Sequence, residues 1–570
     1  MAYLQEYQKW LNSPQIEESE REELLSLDEK EIESRFFAPL EFGTAGLRGV
    51  MAPGLHRMNV YVVRQVTEAL ARLILEEDGG AEKGVVIAHD CRHNADAFAR
   101  EAACVFAANG VRVYLFDALR PTPELSFAIR HYGCISGINL TASHNTKEYG
   151  GYKVYWEDGA QLPPKHAAAV ARLVETVDIF TGAKQMEFAR AKAENFIRMI
   201  GAETDALFLD AVLGESIDNG PVVRQADEFS VVYTPFHGTG YQLVPETLSR
   251  LGVKNIYPVE AQMVLDGDFP TVKSPNPEER ESFRLAVDLA REKKADLIIG
   301  TDPDADRVGI VVKTRADDYA TISGNQTGVL LLNYLIEARN RTGNMPKNPY
   351  AVKTIVTTEM AREVARASGI PMHDTFTGFK FIAEKINEQE ALGNRCIFSY
   401  EESYGYLIGL YARDKDAVSA SMLLAEMTAH YREQKKTLFD VLEELYDRHG
   451  AFAEETVNLV MPGTEGLYNM RALMESLRRE HRSRVGGFRV LRTRDYQSGT
   501  IVDHETGERS ETPIKGSNVL YYELKHGIRF IVRPSGTEPK IKFYLLSRGR
   551  SLEEARENVG RMKAFVETLK

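Results

Sequence analysis

Two short segments hold the residue types that phosphoryl transfer needs. Thr141-Ala142-Ser143-His144-Asn145 offers a hydroxyl nucleophile in a polar turn. Gly300-Thr301-Asp302-Pro303-Asp304-Ala305-Asp306-Arg307 offers three carboxylates at alternate positions, followed by a cation. Together they supply a group to carry a phosphoryl, ligands for a hard metal, and fixed charge around the transferring group.

Serine alone is a weak nucleophile, so Ser143 needs a base or must already carry the phosphoryl. Adjacency in sequence is expected to turn His144 away from Ser143, and no Gly-x-Ser-x-Gly elbow surrounds it, which disfavours a serine-hydrolase dyad. A Ser-rich turn without chemistry fits the same residues. The acidic segment is more specific. Asp302, Asp304 and Asp306 cannot crowd together without a cation, because mutual repulsion would raise their pKa values. An all-oxygen set points to Mg²⁺. A calcium EF-hand fails, with Arg307 where glycine is needed and Lys313 where the bidentate glutamate belongs. A solvated acidic hairpin is the alternative.

Two further loops add recognition chemistry. Ser399-Tyr400-Glu401-Glu402-Ser403-Tyr404-Gly405 sets carboxylates and a hydroxyl among aromatics, which suits a sugar. Arg533-Pro534-Ser535-Gly536-Thr537 combines a guanidinium, two hydroxyls and a glycine, a cradle for phosphate or an ordinary turn.

The elements that position these loops read as α/β. Val85–Ala88, then Ala95–Ala108, then Asn109-Gly110-Val111 and Val113–Phe116 form a strand, a helix stopped at glycine, and a second strand. The plan recurs from Val231 to Val259 and from Val352 to Ile370, so three related domains with parallel or mixed sheets are expected. The acidic segment lies between two apolar strands, Asp296–Ile299 and Val308–Val312. From about Ala451 onward, strands at 488–491, 519–524, 529–532 and 540–546 and a closing helix at 552–569 predict a smaller α+β domain. The expected domains are 1–205, 206–322, 323–450 and 451–570, arranged around a shared central cleft.

At 570 residues, about four domains of ~150 residues fit the length. A net charge of −13 argues against broad nucleic-acid binding. The four cysteines lack CxxC spacing, which argues against a zinc site or disulfide framework. No apolar run approaches the ~18 residues of a membrane span, and with polar residues at the start no signal peptide is expected. A cytoplasmic enzyme with a small-molecule partner, and no nucleic-acid or membrane partner, is expected; oligomeric state is not legible.

With all four loops in view, the chain resembles the α-D-phosphohexomutase superfamily, which uses a phosphoserine, a metal, a sugar and a phosphate loop in this order. The resemblance runs from Phe42-Gly43-Thr44-Ala45-Gly46-Leu47-Arg48-Gly49 to Thr537. The opening motif is most similar to the branch with long bacterial phosphoglucomutases and phosphopentomutase-type enzymes. The resemblance implies that Ser143 is the phosphorylated residue, and that Asp302, Asp304 and Asp306 bind Mg²⁺ together with its phosphoryl group. It implies that Arg48 and Arg307 stabilise charge, that Glu401, Ser403 and Lys380 contact the substrate, and that Arg533, Ser535, Gly536 and Thr537 hold the non-reacting phosphate. Lys153 would move protons, beside His144. Thr146 stands where the family usually has proline, and Gly150 where it usually has asparagine, which bears on the Lys153 role.

The implied reaction shifts phosphate between C1 and C6 of glucose through a sugar 1,6-bisphosphate, which also serves as activator. A pentose or mannose phosphate, a hydrolytic phosphatase and a non-enzymatic sugar-phosphate sensor are the competing readings.

Overall fold

A computed structural model of the chain describes residues 2–43, 46–461, 463–480, 482–535 and 540–569. The first domain opens with three helices, Ala2–Leu11, Glu18–Leu25 and Glu29–Phe36, of which the first and third bury aromatic residues. Trp10 is fully buried, edge-on to Phe36, Tyr61 and Phe180.

The domain's sheet contains β1 (Leu47–Val50), β2 (Val85–His89), β3 (Val113–Phe116), β4 (Ser136–Leu140), β5 (Tyr149–Trp156) and β6 (Ile197–Ile200), in the order β1-β5-β4-β2-β3-β6. The second domain contains β7 (Ser230–Thr234), β8 (Asn255–Pro258), β9 (Leu297–Thr301), β10 (Val308–Lys313) and β11 (Tyr319–Ile322), ordered β11-β10-β9-β7-β8. The third contains β12 (Pro349–Thr354), β13 (Met372–Thr375), β14 (Arg395–Glu401) and β15 (Gly405–Leu407), ordered β13-β12-β14-β15.

One plan underlies all three. A first strand lies between two parallel neighbours, and the third strand in sequence turns back antiparallel into the fourth. The pairings are β2 with β3 and β4, then β4 with β5; β7 with β8 and β9, then β9 with β10; β12 with β13 and β14, then β14 with β15. The expected repetition of α/β units is thus a repetition of topology. Its consequence is positional, because Ser143, the acidic segment and Ser403 all lie in the same hairpin connection of successive domains. The central strands are apolar on both faces, as helices on either side require: Val85, Val231, Leu297 and Val352 are all fully buried.

The second and third domains share a core. The helix Ala417–Glu433, from the third domain's stretch of sequence, packs on Gly240–Leu251 of the second. Its Met422, Leu423 and Met427 join Leu248, Val308 and Tyr334 in one buried cluster.

The C-terminal domain is a largely antiparallel sheet, the expected α+β unit. Its strands are β16 (Ala451–Val460), β17 (Arg484–Val485), β18 (Phe488–Asp495), β19 (Thr500–Asp503), β20 (Arg509–Glu511), β21 (Leu520–Leu524), β22 (Ile528–Pro534) and β23 (Lys540–Gly549). They run β16-β23-β22-β21-β18-β19-β20, with β17 beside β18. The helices Gly463–Arg479 and Leu552–Glu567 cover one face through Met474, Val559 and Met562. The other face presents Tyr496, Tyr521, Ile531 and Tyr544 to Ile355, Val356 and Phe376 of the third domain. The strand β16 and the helix Gly463–Arg479 were not legible in the sequence. β16 exposes alternate polar residues and lacks a continuous apolar run. No described helix is long and apolar enough to cross a membrane.

Candidate functional site

The turn after β4 is bent sharply at Ser143, whose backbone is left-handed (φ 53°). A non-glycine residue in that region costs on the order of 1 kcal/mol and persists only where its surroundings enforce it. Here the enforcement is visible. Thr141 Oγ1 donates to Asp90 at 2.6 Å and accepts from Ser143 N at 2.8 Å. The buried guanidinium of Arg92 pairs with Asp90 at 3.2 Å and donates to the carbonyl oxygens of Ser143 (2.6 Å), Thr146 (2.8 Å) and Tyr149 (3.0 Å). Arg92 therefore fastens the serine loop from beneath. Sequence reasoning passed over it, since an isolated arginine in Asp90-Cys91-Arg92 carries no pattern.

The same bend overturns one expectation. His144 does not turn away: its Nδ1 lies 3.3 Å from Ser143 Oγ. Burial, and then the positive charges of Arg307 and Arg48, hold the imidazole well below its usual pKa, so it is neutral at pH 7.

Ser143 Oγ donates to Asp302 Oδ2 at 2.8 Å, across the boundary between the first and second domains. Asp302, Asp304 and Asp306 are buried, and one oxygen of each lies within 4.8 Å of the others. The segment is locked from several sides. Asp302 Oδ1 accepts from the amides of Asp306 (3.1 Å) and Arg307 (3.0 Å), Thr122 N donates to the Asp304 carbonyl (2.9 Å), and Ala417 N donates to the Ala305 carbonyl (3.1 Å). Gly238 supports it from below, where an added Cβ would fall 2.4 Å from Pro303 Cα.

Asp304 Oδ1 and Asp306 Oδ1 are buried without a hydrogen bond. Burial and its two neighbours push the Asp302 carboxyl well above the usual carboxylate range. Orphaned oxygens on crowded, desolvated acids are the signature of a cation site, and this group could hold a metal ion.

Two lysines supply part of the missing charge. Lys153, on β5, donates to Asp304 (2.6 Å) and Asp306 (3.1 Å), and Lys415 lies 3.2 Å from Asp306 and 3.0 Å from Asp414. Burial alone would lower both ammonium pKa values, but the facing carboxylates outweigh it and raise them. Lys415 was missed in the sequence, although four consecutive charged residues, Arg413 to Asp416, in an apolar stretch are a readable sign of buried ion pairs.

These groups open into a cleft of about 840 Å³ to which all four domains contribute. Arg48 lines it and donates to Asn145 Oδ1 at 3.0 Å. Arg307 lines it, bound to Glu278 at 2.9 Å. Glu401, Ser403, Arg533 and Ser535 line it as well. Glu401 accepts from Gly378 N at 2.7 Å, which fixes its carboxylate beside a glycine turn. Gly536 and Thr537 lie outside the described residues.

Lys380 is not among the lining residues. The turn at Gly378 (φ 117°) brings Thr377 and Phe379 to the cleft, while the Lys380 ammonium sits 5.0 Å over the Phe381 ring. Burial there lowers its pKa to about 8.

The fourth domain adds Lys540 and Lys542, which share a face of β23 and which the sequence reading did not single out. Lys542 stands opposite Arg533 in the β22–β23 ladder. Burial, then Arg533 and Lys540, lower its pKa, the mark of a pocket with surplus positive charge.

Family models for phosphoglucomutase/phosphomannomutase match the chain in three consecutive α/β/α domains: domain I over residues 39–179, domain II over 208–315 and domain III over 323–449. The chain belongs to this family. It is 34% identical over 527 residues to a phosphoglucomutase of Staphylococcus haemolyticus, an alignment that covers 92% of this chain and 94% of that one. A phosphoglucomutase of Staphylococcus aureus is 34% identical over 537 residues, 94% of each chain.

Among solved structures, the fold is similar to that of the exocytosis-sensitive phosphoprotein parafusin (phosphoglucomutase) of Paramecium in its open form. The TM-score is 0.66 at 19% identity, covering 93% of this chain and 95% of that one. A phosphoglucomutase/phosphomannomutase family protein of Burkholderia thailandensis gives 0.65 at 17% identity, covering 92% and 95%.

Proposed function

We propose that the protein is a phosphoglucomutase, interconverting α-D-glucose 1-phosphate and glucose 6-phosphate through a phosphorylated Ser143 and a glucose 1,6-bisphosphate intermediate. The observation that carries this reading is the 2.8 Å contact between Ser143 Oγ and Asp302, at the mouth of a three-carboxylate group inside the shared cleft. The oxygen-only donors Asp302, Asp304 and Asp306 fit Mg²⁺, which when bound would neutralise charge on the phosphoryl group.

The chain's own groups divide the remaining work. The bond from phosphorus to Ser143 Oγ breaks as a bond to a sugar hydroxyl oxygen forms, and the hydroxyl proton ends on Oγ. Lys153, kept as an ammonium by Asp304 and Asp306, and neutral His144, beside Oγ, are the residues assigned to that proton path. Arg48 and Arg307 bring guanidinium groups to the transferring phosphoryl. Arg533 and Ser535, with Lys542, hold the phosphate that is not reacting. Glu401 and Ser403 contact sugar hydroxyls. Reorientation of the bisphosphate then presents its other phosphate to Ser143. A cytoplasmic location goes with the reading.

The test is to incubate the protein with glucose 1,6-bisphosphate and Mg²⁺ and locate phosphorylation by peptide mass spectrometry. The expected result is one phosphoryl group on the Ser143 peptide, lost again on addition of excess glucose 1-phosphate. No phosphoryl group on that peptide would overturn the assignment. Mannose and pentose 1-phosphates, run in parallel, decide which sugar discharges it fastest.

A further inference from the structure

The fourth domain carries a groove of about 920 Å³ that shares no lining residue with the cleft. Seven basic side chains line it against a single carboxylate, in a chain whose net charge is −13. They converge from four separate segments. Arg484 and Arg489 flank the β17–β18 turn, Lys525 and His526 form the turn between β21 and β22, Arg548 and Arg550 close β23, and Arg561 reaches in from the last helix. Arg548 lies eight residues beyond Lys540 along β23, on the order of 27 Å from the cleft end of that strand.

Little within the groove neutralises this charge. Glu554, its carboxylate, is taken by Arg550 at 3.1 Å, and Arg489 reaches out of the lining to Glu505 at 3.3 Å. Three of the arginines are held by neutral groups. The Arg561 guanidinium stacks 3.9 Å from the Phe488 ring, Arg484 donates to the Gly487 carbonyl at 2.9 Å, and Arg548 donates to the His449 carbonyl at 3.0 Å. His526 has a left-handed backbone (φ 69°), a conformation that costs a non-glycine residue on the order of 1 kcal/mol and here fixes the tip of the basic turn.

We propose that this groove is a second anion site that takes an oligophosphate, a chain of linked phosphoryl groups. Guanidinium forks match phosphate oxygens in pairs, and several forks converging on one concavity fit several linked phosphates better than one. A long nucleic acid would meet the net negative charge of the rest of the surface. A membrane surface would call for apolar anchors beside the cations, and among the described residues no exposed large hydrophobic residue lies in the groove. The contact of Arg548 with the His449 carbonyl puts the site against the segment that joins the third and fourth domains.

The test is calorimetric titration of the full chain with inorganic tripolyphosphate, comparing wild type, Lys525→Ala/Arg550→Ala and Arg533→Ala. Melting temperatures confirm folding. Lys525 and Arg550 are exposed, and the side-chain contacts removed are those of Arg550 with Glu554, so the stability of the double variant should match wild type. The double variant should bind tripolyphosphate about tenfold more weakly or worse, and Arg533→Ala should bind it as wild type does. A parallel titration with a nucleoside triphosphate tells the free oligophosphate from a nucleotide: equal affinity means that the linked phosphates alone are read, and tighter binding means that the groove also reads the nucleoside. The proposal is overturned by absence of binding, by affinity unchanged in the double variant, by loss in Arg533→Ala alone, or by tighter binding to RNA or anionic vesicles than to tripolyphosphate. None of these readouts depends on mutase activity.

Discussion

Ser143 Oγ and Asp302 Oδ2 lie 2.8 Å apart although 159 residues and a domain boundary separate them in the chain. Each sits in the third-to-fourth strand connection of its own domain, so a repeated topology brings unlike chemistry to one point. The Ser143 hydroxyl comes from one copy, the acidic group from the next, and Glu401 and Ser403 from the third. Such an arrangement makes the chemistry depend on how the domains meet as well as on each loop.

Replacement of the nucleophile tests the first of these loops. Ser143→Ala should lose nearly all turnover while circular dichroism and melting temperature stay close to wild type, because the methyl side chain still tolerates the bend that Arg92 and Thr141 impose. Full turnover would sink the phosphoserine assignment.

Asp302→Asn separates stability from activity. Burial and the neighbouring carboxylates raise the Asp302 pKa, so the neutral amide relieves a repulsion that the metal-free protein carries. The variant should melt at or above the wild-type temperature in chelator. Mg²⁺ should raise the melting temperature of wild type by about 5 °C; the variant should lose that rise, and its turnover should fall by about 10³ or more.

Arg92→Lys probes positioning. Lysine keeps the charge but cannot reach four loop carbonyls as one planar fork does. A shift of the serine loop by about 1 Å should lower kcat about a hundredfold with little change in KM. Steady-state kinetics across a range of glucose 1-phosphate concentrations gives the split, and an equal loss in both parameters would contradict a purely positional role.

Glu454, on β16 at the cleft, gives a pH signature. Burial raises its pKa from 4.5 to about 7. Between those values the folded state keeps the proton that the unfolded state has released, so stability falls as pH rises from about 4.5 to 7 and then levels off. The residue is partly exposed, which screens the effect to about 1–2 kcal/mol. Glu454→Gln should therefore melt higher than wild type at pH 8 and equally at pH 4.5. Thermal melts across that range check the crossover.

Much of this was legible in residue order. Alternating aspartates between two apolar strands announce a charged hairpin, and three strand–helix–glycine units announce repeated α/β domains. Arg92 was not legible, because its importance lies in four carbonyl groups that converge only once the loop is folded. Lys542 is one residue of an alternating strand until pairing sets it opposite Arg533. His144 escaped the adjacency argument because that argument assumes ordinary backbone at Ser143, and the left-handed bend removes the assumption. Lys380 departs in the opposite way: expected to contact the substrate, it lies outside the cleft lining, because the Gly378 turn brings its neighbours Thr377 and Phe379 to the cleft.

The most direct test of the central claim is a ³¹P NMR time course of α-D-glucose 1-phosphate with enzyme, Mg²⁺ and a trace of glucose 1,6-bisphosphate. The account predicts that the C1 phosphate resonance decays as the C6 phosphate resonance grows, with total sugar phosphate conserved and no conversion by Ser143→Ala. Release of inorganic phosphate alone, or an unchanged spectrum from folded protein phosphorylated at Ser143, would contradict it.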